Sequence, residues 1–267
     1  MKTFIITLVA VFAFALNASA DDNKKGEKAV RTMETKNNLD AESFKNIKAV
    51  GKAEGRKVYS IVNPDGSAYI GAFDENEKQV GFGKFTWTNG DKFVGVFEKG
   101  KRNGNGAYTW GDGSRFEGEF VNDNINGIGT YVSANGNKYI GEWKNNTRNG
   151  HGTCYFADGS VYEGDYVEDA RTGNGTLTYS DGETYEGQFV DGDREGNGVY
   201  TWTNGDQYKG EWKNNTMEGR GVANYADGIS YEGEWSNGQR NGMGTMTFAD
   251  GTSVSGKWVN NELVEKN

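Results

Sequence analysis

Cysteine, histidine and proline are almost missing from this 267-residue chain, which holds one of each: Cys154, His151 and Pro64. A lone cysteine cannot form an intrachain disulfide, so no covalent framework staples the fold, even in an oxidising compartment. One histidine and one cysteine fall short of a zinc ligand set, and a Ser-His-Asp relay would have only His151 to use. Long apolar runs are missing too. The one candidate, Phe4–Leu16, is too short for a membrane span. With Lys2 before it and Ala18-Ser19-Ala20 after it, the segment reads as a secretory signal peptide over 1–20. The chain is therefore expected to be exported, to the periplasm or the cell exterior. Positive charge is also short. Removing Lys2 takes the formal charge from −9 to −10, and 21–54 holds 8 basic and 7 acidic residues, leaving about −11 for 55–267. That sign disfavours nucleic acid and anionic lipid, both of which require a positive field.

Glycine and aromatic residues are abundant instead: 41 Gly and 35 Phe, Trp and Tyr together. They recur with a 23-residue period whose openers are Phe93, Phe116, Tyr139, Tyr162, Tyr185, Tyr208, Tyr231 and Val254. Tyr69 opens one further unit with a single extra residue. A fixed period of this size means one small structural unit stacked many times. In 162–184, Tyr162, Gly164 and Tyr166 alternate with Glu163 and Asp165, and Gly173, Gly175, Leu177 and Tyr179 alternate with polar residues. Both stretches have the two-residue period of a strand. A loop joins them, and Asp181-Gly182 turns the chain into Tyr185, since such dipeptides tolerate the positive φ of hairpin turns. Each unit is thus expected to be an antiparallel β-hairpin. One face of the sheet carries aromatics beside glycines, and the other carries Glu119, Glu142, Asp165, Glu211 and Glu234 with threonines and should be wet and acidic.

The pattern Tyr-x-Gly-x-Trp, a loop, Gly-x-Gly, then Asp-Gly resembles the MORN repeat (membrane occupation and recognition nexus). Tyr139-Ile-Gly141-Glu-Trp143 followed by Gly150-His-Gly152 carries the match well, as do the units opened by Tyr208 and Tyr231. The resemblance covers roughly 69–258, with Ser133 and Val254 as mild departures. It implies an all-β fold: an elongated, twisted, single-layer antiparallel sheet of successive hairpins, about eight units of 23 residues, on the order of 80 Å long. It further implies scaffolding, dimerisation or membrane-lipid contact, and it brings no attached catalytic domain within these residues. The expected organisation is a signal peptide at 1–20, a charged linker at 21–54 with a short helix over 41–50 capped by Asp40, and a repeat domain at 55–267. Residues 58–66 read as the second half of a degenerate unit.

No catalytic or metal-ligating residue is expected. His151 sits at a position that is Asn105, Ile128, Asn174, Asn197, Arg220 or Met243 in other units, the mark of an ordinary solvated side chain. Cys154 occupies the slot of Tyr108, Tyr131 and Leu177, a small buried apolar position. The recurrent Gly-x-Gly pairs precede strands, not helices, so they are not phosphate loops. No cofactor is indicated. The functional reading is an exported, non-enzymatic scaffold that binds another protein or itself. The alternative is an envelope-associated binder of glycan or lipid headgroups through the aromatic face. Its candidate contacts are Trp110, Tyr139, Trp143, Tyr162, Tyr185, Trp202, Tyr208, Trp212, Tyr231 and Trp235. Membrane association is compatible with that alternative but not favoured by the acidic charge. The same aromatic rows, read plainly, pack neighbouring strands together.

Overall fold

The computed structural model describes residues 48–53 and 56–267, with side chains from Arg56 onward. All regular structure among them is β-strand, in two compact units divided at Arg102. The first unit holds β1 (Lys48–Ala53), β2 (Arg56–Val62), β3 (Ala68–Phe73), β4 (Gln79–Thr86) and β5 (Lys92–Glu98). From β1 to β5, each strand after the first pairs antiparallel with the one before it in sequence. The strand β6 (Lys101–Thr109) begins at the division, and the second unit continues to β20 (Glu262–Lys266). Within it every strand again pairs antiparallel with its neighbours in sequence. The successive hairpins expected from the repeat are therefore present.

The unit 162–184 shows why. Strand β11 (Val161–Val167) alternates buried Tyr162, Gly164 and Tyr166 with exposed Glu163, Asp165 and Val167. Strand β12 (Ala170–Thr178) returns beside it, with Gly164 facing Gly175 and Tyr162 facing Leu177. The ring of Tyr162 lies across that glycine pair. A Cβ on Gly175 would come within 2.5–2.7 Å of Tyr162 ring and hydroxyl atoms, so the position admits no side chain while the tyrosine is present. The glycines of the repeat make room for rings, which is the packing that lets glycine persist inside a strand.

The connection within each unit differs from expectation. The segment read as a loop is a two-residue turn, because β12 starts only three residues after β11 ends. Both turn residues have positive φ, Glu168 at 47° and Asp169 at 72°, as do Asn145 and Asn146, and Asn214 and Asn215. That is the mirror-image turn whose twist matches paired strands. The residues left over form a bulge, for Asp165 faces Thr172 while Gly164 faces Gly175. At the other end, the Asp-Gly connection has positive φ at the glycine alone (Gly182, 92°). Asp181 holds it by accepting from the Glu183 amide at 3.0 Å.

Two further expectations meet the structure near the N-terminal side. Residues 58–66 behave as half a unit: β2 pairs with β3 across Asn63–Ser67, whose backbone bonds repeat those of the Asp-Gly connections. The helix over 41–50 is corrected at its last residues. Lys48, Ala49 and Val50 belong to β1, where Lys48 and Ala49 pair with Ser60 and Tyr59 of β2 and Val50 sits at a bulge. The physical reason is the row of backbone donors and acceptors that β2 would otherwise leave unpaired on that side. Residues 41–47, the Asp40 cap, the part of the charged linker before Lys48 and the signal peptide lie outside the described residues.

Candidate functional site

The aromatic side of the sheet is a core in itself. The openers Phe116, Tyr139, Tyr162, Tyr185, Tyr208 and Tyr231 are at most 2% exposed. Each meets the aromatic four residues on, and also the corresponding aromatic of the next unit. The result is an unbroken chain of twelve edge-to-face pairs from Phe120 and Phe116 to Tyr231 and Trp258, with centroids 5.0–5.4 Å apart. That is the favoured geometry for rings with a negative face and positive edge. In the first unit Tyr69, Phe93, Phe97 and Phe73 do the same at 5.1–5.3 Å.

Most polar atoms of this layer are satisfied locally, and among the described residues the hydroxyl of Tyr166 is the one buried side-chain polar atom without a hydrogen-bond partner. Tyr139, Tyr162, Tyr185, Tyr208 and Tyr231 each donate a hydroxyl hydrogen to the carbonyl three residues on, at 3.0–3.3 Å. The indoles of Trp143, Trp212 and Trp235 donate to Gly129, Gly198 and Gly221 carbonyls at 3.2–3.4 Å. Burial pushes the phenols up: Tyr162 and Tyr185 to about 12, against a positive guanidinium nearby that pulls the other way. Cys154 is likewise buried, at 3% exposure, and burial raises its thiol.

A row of arginines, not anticipated from the sequence, closes this layer. Arg148, Arg171, Arg194 and Arg240 lie over the rings, closest at 4.4 Å for Arg194 and Trp212. Each also donates to a backbone carbonyl of the next hairpin turn, as Arg194 does to Asn215 at 2.7 Å. Their carbonyls accept from those turns in return, Asp169 N to Arg148 O at 3.0 Å being one example. The signal was legible: Arg recurs at 23-residue intervals in 148, 171 and 194. Cation over ring plus charge-assisted bonding ties one repeat to the next.

Of the ten aromatic candidates for ligand contact, Tyr139, Trp143, Tyr162, Tyr185, Tyr208, Trp212, Tyr231 and Trp235 are buried in this layer. Trp110 and Trp202 retain part of their surface, each against the tyrosine two residues before it at 4.7 and 4.8 Å.

The opposite face is less uniformly acidic than expected. The carboxylates of Glu142, Glu211 and Glu234 accept from the bulge amides of His151, Arg220 and Met243 at 2.9–3.2 Å. Gln188 does the same for Asn197 at 2.8 Å, so the role needs an acceptor and not a charge. His151 is exposed, with Nδ1 3.0 Å from Asp165 and Nε2 3.8 Å from Glu163. No group of three acidic, His or Cys side chains among the described residues is placed to hold a metal ion. Across the later repeats this face forms a groove of about 1020 Å³, lined by Glu186, Val199, Lys209, Arg220, Val222 and Glu232 among others.

These hairpins, with glycine pairs roofed by aromatic openers, agree with a family comparison. The MORN repeat matches eight consecutive segments: 69–92, 93–115, 116–138, 139–161, 162–184, 185–207, 208–230 and 231–253. The chain belongs to the MORN-repeat family. Among solved structures it is similar to the TCP10 domain of Danio rerio CPAP in complex with a peptide of Danio rerio STIL. That match has 13% identity and TM-score 0.47, and covers 83% of this chain and 97% of that one. It is also similar to the SAS-4 (dCPAP) TCP domain of Drosophila melanogaster in complex with a proline rich motif of Ana2, at 14% identity and TM-score 0.39. There the coverage is 67% of this chain and 97% of the other. A comparison with curated proteins gives no match. At these scores the two structures carry no argument about what this MORN chain binds.

Proposed function

We propose that this MORN-repeat chain is an exported, non-enzymatic scaffold that binds a protein partner or a second copy of itself through the polar face of its sheet. The carrying observation is the division of labour between the faces. The aromatic layer is consumed in ring–ring and Arg–ring contacts, whereas the polar face keeps a groove of about 1020 Å³ open to solvent. Non-enzymatic function is supported by the phenol shifts, which follow from burial in the repeat packing and do not mark a reactive centre. Export is supported by the apolar segment of residues 4–16 with its flanking Lys2 and Ala18-Ser19-Ala20. We read residues 21–47 as the link between that leader and the sheet.

Purified protein spanning 21–267 is the material for the test. Light scattering coupled to size exclusion, with chemical cross-linking to exported proteins of the source cell, should give either a defined oligomer or a cross-linked partner mapping to polar-face lysines. A strict monomer without any protein cross-link would overturn the proposal. Saturable binding to glycans or uncharged vesicles, lost on Trp110→Ala or Trp202→Ala in a folded protein, would replace it with the aromatic-face alternative.

A further inference from the structure

The polar face carries one cross-strand row whose composition changes along the repeats. Glu186, Val199, Lys209, Val222, Glu232 and Thr245 face one another in register on successive strands from β13 (Thr184–Val190) to β18 (Gln239–Thr247). All six line the groove. Two departures from the repeat coincide here. Lys209 interrupts a series that reads Glu163, Glu186 and Glu232 in neighbouring units. Val199 and Val222 stand where other units have Thr130, Thr153, Thr176 and Thr245. Arg220 adds a second cation two residues along the strand from Val222, opposite Glu234. Among the described residues the side chains of Glu186, Lys209 and Glu232 make no ion pair or hydrogen bond. The floor of the groove is thus a minus–plus–minus series with an apolar residue between each pair of charges.

The spacing of that series selects the shape of what lies on it. Charges sit on every second strand, about 9.6 Å apart at the usual strand separation. A polyproline II segment has three residues per turn and a rise of about 3.1 Å, so residues i, i+3 and i+6 recur on one side every ~9.3 Å. An extended β-segment repeats on one face at about 6.7 Å, and a helix repeats every two turns at about 10.8 Å, so both drift out of register.

We propose that the groove over Glu186, Lys209 and Glu232 docks a polyproline II segment of a partner protein with the pattern basic-x-x-acidic-x-x-basic. The acidic side chain meets Lys209 and Arg220, the two basic ones meet Glu186 and Glu232, and intervening prolines rest on Val199 and Val222. The polyproline backbone has no internal hydrogen bonds, so its carbonyls are free to accept from Asn197 and Ser255, which also line the groove. Its conformation is already fixed before binding, which lowers the ordering cost. This inference rests on the scaffold reading and adds the chemistry of the partner.

The test uses fluorescence anisotropy with 21–267 and the labelled peptide Lys-Pro-Pro-Glu-Pro-Pro-Lys-Pro-Pro. Two controls share its composition class: the charge-inverted Glu-Pro-Pro-Lys-Pro-Pro-Glu-Pro-Pro, and a peptide with the charges moved to alternate positions. The first peptide should bind best, weaken with added salt, and lose about tenfold in affinity on Lys209→Glu. The triple variant E186K/K209E/E232K should reverse the preference toward the inverted peptide, a result that general unfolding cannot produce. Equal binding of all three peptides, or no binding at all, overturns the inference. So does Lys209→Glu without effect in a variant whose circular dichroism is unchanged. If protein cross-links persist on the polar face while the peptides fail, the inference falls and the scaffold reading stands.

Discussion

The contact between a ring and a bare glycine can be tested with a double-mutant cycle at Phe116 and Gly129. Phe116 is fully buried and makes edge-to-face contacts with Phe120 and Trp143 at 5.4 and 5.3 Å. Truncation to Ala removes these and leaves a cavity, so about 3–5 kcal/mol of stability should be lost. A Cβ on Gly129 would meet two ring atoms of Phe116 at 2.3 and 2.4 Å, while the next atom is the Glu117 carbonyl at 3.1 Å. Gly129→Ala alone should therefore cost about 1–3 kcal/mol through overpacking. Once Phe116 is Ala the overlap is gone. The new methyl fills part of the cavity, and replacing glycine reduces the entropy of the unfolded chain by about 0.4–1 kcal/mol. The double variant should be no less stable than Phe116→Ala alone, a coupling of roughly 2 kcal/mol between the two sites. Urea unfolding followed by tryptophan fluorescence and circular dichroism reads all four corners. Additivity within about 0.5 kcal/mol would refute the claim that these glycines exist to admit the rings.

Three other outcomes follow from the same packing. Glu211→Ala should remove the acceptor 2.9 Å from the Arg220 amide and cost about 0.5–1.5 kcal/mol. Hydrogen exchange at that amide should quicken, whereas Glu211→Gln should preserve protection, as Gln188 does for Asn197. Arg194→Ala should destabilise by about 1–2 kcal/mol by loss of its contact with Trp212 and its bond to Asn215. Arg194→Lys should recover only part, since lysine lacks the planar fork, and thermal unfolding would show the difference. The phenols of Tyr162 and Tyr185 are raised to about 12 by burial, from an ordinary value near 10. The fold favours the neutral phenol, so this stabilisation is complete below pH ~10 and is lost as pH rises toward about 12. Tyrosinate absorbance should therefore appear together with loss of circular dichroism, and Tyr162→Phe should move the transition upward. Ionisation of all tyrosines before any unfolding would contradict the burial argument.

How much of this was legible in the sequence depends on the range of each interaction. The hairpin array was, because alternation of Tyr162, Gly164 and Tyr166 is a local consequence of the strand period, and repetition fixes the neighbours. The two-residue turns at Asn145-Asn146 and Glu168-Asp169 were not read, although Asn and Asp tolerate positive φ. The bulge that shortens the apparent loop depends on register, which no single strand specifies. Lys48–Val50 likewise took the conformation set by an available strand edge and not by their own helical pattern.

The sequence by itself determined the fold class, the family and the presence of an aromatic and a polar row, since each follows from the 23-residue period. It also contained the departures at Val199, Lys209 and Val222, but not their meaning. Only the tertiary structure decided that the aromatic row is taken up as core and not left open as a surface. Rings 27 residues apart, such as Tyr162 and Phe189, meet edge to face and exclude water. On the other side, cross-strand register collects Glu186, Lys209 and Glu232 into one groove. Burial and register are relations between strands, and a one-dimensional pattern records what each strand carries but not what it comes to lie against.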